Sequence, residues 1–214
     1  MVSVSTLLAR GERSILQSVL SGTISQFRDG QIIYSQGDTA NTLCYIREGS
    51  VMLTIRSKRR RPAVVTVLGA RDFFGQSCLA DIPLRRCTAT AIGSCSILTI
   101  RKKEMIRNLR EDRVISNFFV DYLLSVLIKH QERLVDLLVN SAEQRLAGVL
   151  LELAQLSTKD GRIPKISQRV LANMVGTTRS RTSSLMNRFK KRGLVSYNGG
   201  IKVHSSLRAA YLPH

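Results

Sequence analysis

Residues 178–192 combine small hydroxyl side chains with a dense set of cations, a combination suited to binding DNA bases and phosphates. Arginine can bond guanine through two parallel hydrogen bonds, and small hydroxyl residues allow a helix to approach the base edges. Cations grouped at the end of the stretch suit phosphate oxygens. No acidic residue occurs between position 176 and position 214. We predict that the DNA-contacting residues are Thr178, Arg179, Ser180, Arg181, Ser183, Ser184, Arg188, Lys190 and Lys191.

Residues 166–194 have the spacing of a helix-turn-helix. Gly176 separates two groups of apolar residues, and glycine can adopt the left-handed conformation that ends a helix. Thr177 is then predicted to cap the second helix by accepting a backbone N–H bond. Ala172 falls where the two helices must approach, which requires a small residue. The apolar residues recur at helical spacing; they are Val170, Leu171, Met174 and Val175, then Leu185, Met186 and Phe189.

A hairpin is predicted directly after the second helix. Asn198-Gly199 separates two short segments, 195–197 and 201–203, and Asn-Gly is a strong signal for a two-residue turn. The C-terminal third therefore predicts a winged helix-turn-helix. The alternative is an ordinary surface helical hairpin with a solvated basic face. The turn spacing, the missing acids and the hairpin together favour DNA binding.

Length and charge are consistent with this prediction. The chain has 214 residues and a net charge of +18, and its length favours one or two domains. Residues 141–214 hold 13 basic and 3 acidic residues, so the charge favours a polyanionic partner there. A membrane surface is the rival partner, but no basic amphipathic helix with aromatic anchors occurs. With no apolar run of about 18 residues and no signal-peptide pattern, we expect a cytoplasmic chain without a membrane partner.

The N-terminal half has the pattern of an antiparallel β-roll. An apolar stripe predicts one or two short helices over 1–26, and residues 57–62 (SKRRRP) are predicted to form a loop at a hairpin tip. Short apolar stretches separated by glycine turns predict a double sheet or jelly roll. The predicted strands are 31–34, 43–46, 51–55, 64–68, 87–91 and 95–100, with turns at Gly37-Asp38, 48–50, Gly69 and Gly93-Ser94.

A long helix is predicted to connect the two halves. Apolar residues recur every three or four positions over 112–139, which would make a rod of ~42 Å that packs on a copy of itself or on a sheet. Ser141 and Gln144 have the spacing of a capping box, so a hinge and a new helix over 142–156 are predicted. A turn at 157–163 precedes Pro164-Lys165. The stripe comprises Phe118, Phe119, Tyr122, Leu123, Val126, Leu127, His130, Leu134 and Leu137.

The order of β-roll, long helix and winged helix-turn-helix resembles the cyclic-AMP receptor/fumarate–nitrate regulator (Crp/Fnr) family of bacterial transcription factors. The resemblance lies in YSQGDTANTLCYIREGSVML (34–53), RDFFGQSCLADIPLRRCTATA (71–91) and ISQRVLANMVGTTRSRTSSLMNRFKKRGLVSYNGG (166–200). It implies an α+β fold with a cyclic-nucleotide-binding-like jelly roll (double-stranded β-helix) over 1–110. A dimerisation helix over 111–140 and a DNA-binding domain over 141–214 would follow.

The resemblance also implies how DNA is bound. Members are homodimers, so 112–139 would pair with its mate and the half-sites of a near-palindromic operator would lie ~34 Å apart. Family base contacts fall on Arg179, Ser180, Ser183 and Ser184, a phosphate contact falls on Arg181, and RNA polymerase is an implied partner. Some members have Glu at the Ser180 position or Arg at the Ser184 position, so no operator sequence carries over. Thr182 replaces the usual Val or Ile.

The resemblance places an effector site in the roll, and the residues there depart from the cyclic-nucleotide pattern. The Gly-Glu pair of nucleotide-binding members becomes Gly75-Gln76, and their Arg-Ser/Thr-Ala run becomes Arg85-Arg86-Cys87. Arg85 still suits a phosphate, but Gln76 lacks the carboxylate that accepts from the ribose. The two helix positions that meet the base fall on His130 and Gln131. A cyclic nucleotide, another small anionic effector and a vestigial or filled pocket remain open.

His130 and the cysteines bear on other kinds of sensing, and the remaining residues bear on other classes of function. His130 on the stripe could act as a pH-sensing residue or be an ordinary interface histidine. The four cysteines lack C-x-x-C spacing, which favours free, mostly buried thiols over redox sensing or a metal site. With no cysteine in 1–43, an oxygen-sensing iron–sulfur cluster is disfavoured. No catalytic constellation favours an enzyme or an enzyme's regulatory subunit. An effector-independent, architectural DNA-binding protein is the alternative to a regulator.

Overall fold

The computed structural model describes residues 22–56, 63–156, 161–163, 166–197 and 200–211, and it confirms the predicted α+β architecture. Most of the predicted N-terminal helices, the SKRRRP loop, residues 157–160 and 164–165, and the Asn198-Gly199 turn lie outside these residues. The strands are β1 (Thr23–Phe27), β2 (Ile32–Tyr34), β3 (Thr42–Ile55), β4 (Ala63–Leu68), β5 (Phe73–Phe74), β6 (Thr88–Arg101), β7 (Val195–Tyr197) and β8 (Ile201–Val203). The helices are α1 (Lys102–Glu111), α2 (Arg113–Val139), α3 (Ala142–Gln155), α4 (Gln168–Val175), α5 (Arg179–Lys191) and α6 (Ser205–Tyr211).

The roll is built around two long antiparallel strands, β3 and β6. The order in the sheet is β1-β6-β3-β4, while β2 pairs with β6 and β5 pairs with β3. Each of the central strands is 14 residues long. Their inward faces supply an apolar core that includes Ile46, Val51 and Ile97, so the roll has its own packed interior.

The predicted turns at 48–50 and Gly93-Ser94 are wrong. Strand β3 continues through residues 48–50, and strand β6 continues through Gly93-Ser94. The register between β3 and β6 shifts around Glu48. Gly49 has φ of +88°, and a Cβ there would lie 2.5 Å from the Ser94 carbonyl oxygen. The glycines therefore mark bulges that bend paired strands rather than turns that end them.

The prediction that helix extends to residue 26 is also wrong. β1 begins at Thr23 and pairs along its whole length with the end of β6, with Thr23 opposite Thr99 and Phe27 opposite Cys95. The β-branched residues of this segment fit a sheet edge, and the partner strand, whose paired residues lie 68 to 76 positions away in the chain, selects the extended form.

Helix α2 is attached to the roll by an aromatic cluster. Phe73 of β5 lies 5.8 Å from Phe119 and 5.1 Å from Tyr122, measured between ring centroids. The Tyr122 hydroxyl accepts a hydrogen bond from the Phe73 backbone N–H at 2.8 Å and donates to its carbonyl oxygen at 3.0 Å. The Asp112 side chain caps the helix by accepting from the N–H groups of Val114 and Ile115. Helix α1, which the sequence analysis did not predict, packs beside this cluster through Met105.

The apolar stripe of α2 divides into two parts. Its N-terminal part is buried against the roll, and it comprises Ile115, Phe118, Phe119 and Tyr122. From Val120 onward most of the large apolar residues are exposed in the protomer. They are Val120, Leu123, Leu124, Leu127, Ile128, Leu134, Val135, Leu137, Leu138 and Val139. We call this exposed set the α2 seam.

The C-terminal domain is confirmed as a winged helix-turn-helix. The capping box of Ser141 and Gln144 begins α3, and left-handed Gly176 ends α4. The cap of α5 was assigned to the wrong threonine. The Thr178 hydroxyl, and not that of Thr177, accepts from the N–H of Arg181 at 3.2 Å. The wing pairs Val195–Tyr197 with Ile201–Val203 as predicted.

Candidate functional site

Helix α5 is buried on one side and carries cations on the other. Leu185, Met186 and Phe189 lie in a core shared with α3, α4 and α6. Thr182 is fully buried and its hydroxyl donates to the Thr178 carbonyl oxygen at 3.1 Å, so its departure from Val or Ile leaves no unpaired polar group. The exposed residues are Thr178, Arg179, Ser180, Arg181, Ser184, Asn187, Arg188, Lys190 and Lys191. This exposed face presents hydrogen-bond donors on a rigid helix.

Ser183 differs from the other predicted DNA-contacting residues because it is half-buried. Its hydroxyl bonds to the side-chain oxygen of Gln168 at the start of α4 and lies 2.9 Å from the Arg179 carbonyl oxygen. The contact with Gln168 connects the two helices of the motif. Ser183 thus borders the exposed face of α5, which we call the reading face, and its hydroxyl is already hydrogen-bonded within the motif.

Arg188 is held in an ion-pair cluster at the C-terminal end of α5. Its Nη1 lies 2.6 Å from Oε2 of Glu143, the second residue of α3. The other carboxylate oxygen accepts from the Tyr211 hydroxyl at 2.5 Å and lies 3.7 Å from Arg192 Nη1. Glu143 therefore offsets two cations beside the reading face, a contact that the sequence analysis missed because the partners are 45 or more residues apart.

We expect Glu143→Gln to strengthen DNA binding irrespective of base sequence. Release of Arg188 would add about one phosphate contact, which steepens the dependence of log K on log salt by ~0.9. Fluorescence anisotropy with labelled duplexes across a KCl series measures this slope. Glu152→Gln is the matched control because Glu152 is exposed on the same helix, ~13 Å further along it. Equal slopes for the two variants would contradict a local role of Glu143.

A cavity of about 710 Å³ lies between the roll and α2. Its polar side is formed by the loop after β5 and the segment before β6, where it contains the predicted residues Gly75, Gln76, Arg85 and Arg86. Its apolar side is formed mainly by Leu53, Leu79, Leu109, Phe119, Val120 and Leu123. The structure thus brings four of the six predicted effector residues around one space, and this space also touches the α2 seam.

Arg85 is the central polar residue of this cavity. It is 5% exposed, its Nη2 donates to Thr42 Oγ1 at 2.6 Å and its Nη1 donates to the Gly75 carbonyl oxygen at 3.3 Å. The guanidinium lies 4.1 Å from the centre of the Tyr34 ring, a cation–π contact. Burial raises the pKa of the Tyr34 hydroxyl well above its usual value, so this ring stays neutral. Thr42 of β3 and Tyr34 of β2 were not predicted as partners of Arg85, because both are distant from it in the sequence.

The cysteines near Arg85 are protonated at neutral pH. Burial raises the pKa of Cys44 to about 11 and raises that of Cys78 and Cys87 as well. Thiolate is the reactive form of cysteine. Cys87 lines the cavity, and its raised pKa makes it a weak nucleophile there. All four cysteines are free, as predicted.

His130 and Gln131 lie outside this cavity within the protomer. Both are exposed on α2. His130 instead lines a separate space of about 300 Å³ between α2, β4 and the end of α4, together with Met174 and Gly176. The structure therefore does not join these two residues to Arg85 within one chain.

Two arginines hold the helix-turn-helix against the end of α2. Arg145 donates to the carbonyl oxygens of Asn140 at 2.6 Å and Val175 at 2.9 Å. Arg133 donates to the Met174 carbonyl oxygen at 3.3 Å. The carbonyl groups at these helix ends otherwise lack helical partners. Arg133 and Arg145 therefore fix the position of the reading face relative to α2.

The described part of the chain offers neither a metal site nor a membrane-spanning helix. No cluster of three or more His, Cys, Asp or Glu side chains there is arranged to hold a metal ion. The helices found there are also too short or too polar to cross a membrane.

Two family models match the chain in the order that the fold displays. The cyclic nucleotide-binding domain matches residues 24–112, and the Crp-like helix-turn-helix domain matches residues 144–206. Together the two models span the roll and the winged helix-turn-helix.

Individual relatives are similar over most of their length. The CRP-like cAMP-activated global transcriptional regulator of Mycobacterium tuberculosis is 26% identical, with 81% of this chain and 80% of the relative covered. The cAMP-activated global transcriptional regulator CRP of Haemophilus influenzae is 26% identical over 76% of this chain and 75% of its own. The structure of FixK2 from Bradyrhizobium japonicum has a TM-score of 0.74 at 21% identity, covering 90% of this chain and 98% of that one. The chain is a member of the Crp/Fnr family of DNA-binding transcription regulators.

Proposed function

We propose that this regulator acts as a homodimer on a near-palindromic operator and that a small anionic effector in the roll controls it. The observation that carries the DNA-binding part is the exposed face of α5, where Arg179, Ser180 and Ser184 project from a helix packed through Met186 and Phe189. Arginine and small hydroxyl residues on a rigid helix suit direct reading of the major groove.

The α2 seam supports the homodimer. Leu138 and Val139 are 77% and 76% exposed in the protomer, and Leu124, Leu127 and Ile128 are each more than half exposed. An apolar patch of this extent on one helix face marks an interaction surface. A second copy of α2 is its proposed occupant because a twofold pair would bury the same residues on both chains.

The position of the cavity supports control by an effector. Phe119 of α2 lines the cavity and also contacts Phe73 of the roll. Val120 and Leu123 belong to both the cavity wall and the α2 seam. A molecule bound beside Arg85 would therefore contact the helix that positions both reading faces. If that molecule bound one arrangement of α2 more tightly than another, it would shift the protein towards that arrangement and so change the affinity for DNA. The name of the M. tuberculosis relative states that cyclic AMP activates it, which supports an effector of this general kind.

Further parts of the proposal follow from the family. RNA polymerase is the proposed protein partner, the cytoplasm is the proposed location, and no enzymatic activity is proposed. An architectural binder with a vestigial cavity is the second candidate, favoured by the net charge of +18. It predicts that no small molecule alters DNA affinity, whereas the first candidate predicts at least one that does.

We expect Arg179→Ala to reduce the preference for an operator selected from a randomised duplex library. Loss of one bidentate base contact should cost about 1–3 kcal/mol on the selected sequence and little on random DNA. Lys191→Ala is the comparison, because loss of a phosphate contact should weaken all sequences alike and make the salt slope shallower by about one unit. Competition gel shifts with both duplexes measure the two effects. Equal losses on both duplexes for Arg179→Ala would show that Arg179 reads no base.

A further inference from the structure

The cavity near Arg85 carries two positive charges that no lining carboxylate balances. Of the described residues that line it, Arg85 and Arg86 are cations and none is Asp or Glu. Nor does either arginine form an ion pair with a carboxylate in the described part of the chain. A charge removed from water is costly unless an opposite charge and hydrogen bonds compensate.

The buried guanidinium has donor capacity left over. The two partners of Arg85, Thr42 Oγ1 and the Gly75 carbonyl oxygen, are both neutral. Its Nε is buried and has no hydrogen-bond partner in the described part of the chain. Buried polar groups without partners are rare and point to a missing ligand or ion. An oxyanion in the cavity would supply both the missing acceptor and the opposite charge.

Gln76 and Arg86 make the polar side suited to more than one negative charge. Arg86 is exposed at the cavity wall, where it can turn towards a bound anion. The Gln76 amide can donate a hydrogen bond to an oxyanion. A carboxylate at this position would instead repel a doubly charged head. The pair of arginines with a neutral amide therefore favours a head group of charge about −2 over a cyclic phosphodiester of charge −1.

The remainder of the wall is apolar and large. The leucines at 53, 79 and 109 surround the space together with Phe119 and Val120. A volume of about 710 Å³ is in the range that holds a ligand considerably larger than a single phosphate ion. Apolar walls favour a hydrocarbon chain or ring as the body of that ligand.

We infer that the cavity binds an amphiphilic dianion, a phosphate monoester carried on an apolar chain or ring, and that it needs no ribose hydroxyl. This inference rests on the proposed role of the cavity as the effector site. It distinguishes this chain from a cyclic-nucleotide receptor through two residues, Gln76 and Arg86.

The test uses the full chain and isothermal titration calorimetry at pH 7.5, with hexyl phosphate and hexyl sulfate as matched probes. The two probes have the same body and differ by about one charge, so hexyl phosphate should bind about tenfold more tightly. This preference should disappear in Arg86→Gln and near pH 5, where the phosphate monoester, with a second pKa of about 6, loses its second charge. Arg47→Gln, which removes an exposed cation elsewhere on the roll, should retain the preference.

Four outcomes would overturn the inference, and the last of them is that no probe binds. Equal affinity of the wild-type chain for both hexyl probes would refute a dianionic site. Inorganic phosphate binding as tightly as hexyl phosphate would refute the apolar body, and cyclic AMP binding more tightly would assign the site to a nucleotide. DNA affinity without any probe is measured in parallel. If specific DNA binding persists while no probe binds, the ligand class is wrong and the DNA-binding function stands. If hexyl phosphate binds as expected without changing DNA affinity, the ligand class is supported and the proposed control of DNA binding by this ligand is wrong.

Discussion

The double substitution Leu127→Glu and Leu134→Glu should convert the regulator to a monomer and lower its affinity for a palindromic duplex by about 100- to 10,000-fold. The two leucines are 53% and 58% exposed in the protomer, so the chain itself should remain folded. In a dimer that pairs α2 with its mate, each glutamate would be buried near its symmetry copy, which is costly for an unpaired charge. The DNA affinity falls because two linked half-site contacts become two independent binding events.

Sedimentation equilibrium measures the change in mass, and gel shifts on a duplex selected by the wild-type chain measure the change in affinity. Leu127→Met with Leu134→Met is the matched control, since methionine keeps the apolar character and nearly the same volume. This control should remain dimeric and bind DNA as the wild type does. A double-glutamate variant that stays dimeric with unchanged affinity would show that the chains pair through a surface other than the α2 seam.

Phe73→Ala should cost about 3–5 kcal/mol in the free energy of unfolding of the roll and α2, as is typical for a fully buried phenylalanine. Its side chain is 2% exposed. Four aromatic rings surround it, at centroid distances of 4.8 to 6.4 Å, and they belong to Tyr45, Phe118, Phe119 and Tyr122. Removal of the ring leaves a cavity between the sheet and the helix that positions the reader, and it removes edge-to-face contacts as well. Urea unfolding followed by far-UV circular dichroism measures the loss.

One further variant separates packing from hydrogen bonding where α2 contacts the roll, and another serves as a control elsewhere on the sheet. Tyr122→Phe keeps the ring and leaves the Phe73 backbone N–H and carbonyl without their hydroxyl partner, so it should cost about 1–3 kcal/mol. Ile24→Ala removes an apolar side chain that is 50% exposed and should change stability by less than about 0.5 kcal/mol. If Phe73→Ala were no more destabilising than Ile24→Ala, the aromatic cluster would not be what attaches α2 to the roll.

The C-terminal domain could be predicted in detail because its signals are local. The left-handed conformation at Gly176, the capping box of Ser141 with Gln144, and the two strands beside the wing turn depend on residues within a few positions of one another. The error at Thr177 was a shift of one residue in the cap, which leaves the reading face unchanged. Local sequence sets backbone conformation strongly where caps and turn residues occur.

The roll was predicted in outline, and its errors share one cause. Gly49 and Gly93 resemble turn signals when the sequence is read in isolation. Pairing of β3 with β6 instead makes them bulges, because Gly49 must accept the close approach of Ser94. Likewise β1 is a strand because β6 offers it a partner. Sheet pairing joins distant segments, so local propensity does not decide where such a strand begins or ends.

The sequence by itself determined the family, the winged reader and the basic face of α5, since charge, caps and helical spacing are written in consecutive residues. Tertiary structure alone decided what surrounds Arg85, because Thr42, Gly75 and Tyr34 reach it from three separate segments. The tertiary structure also decided which part of the α2 stripe is buried and which part forms the exposed α2 seam. It likewise brought Arg188 and Glu143 together as an ion pair. The spacing of apolar residues shows that a helix has an apolar side, but only the packed fold shows which part of that side is already covered.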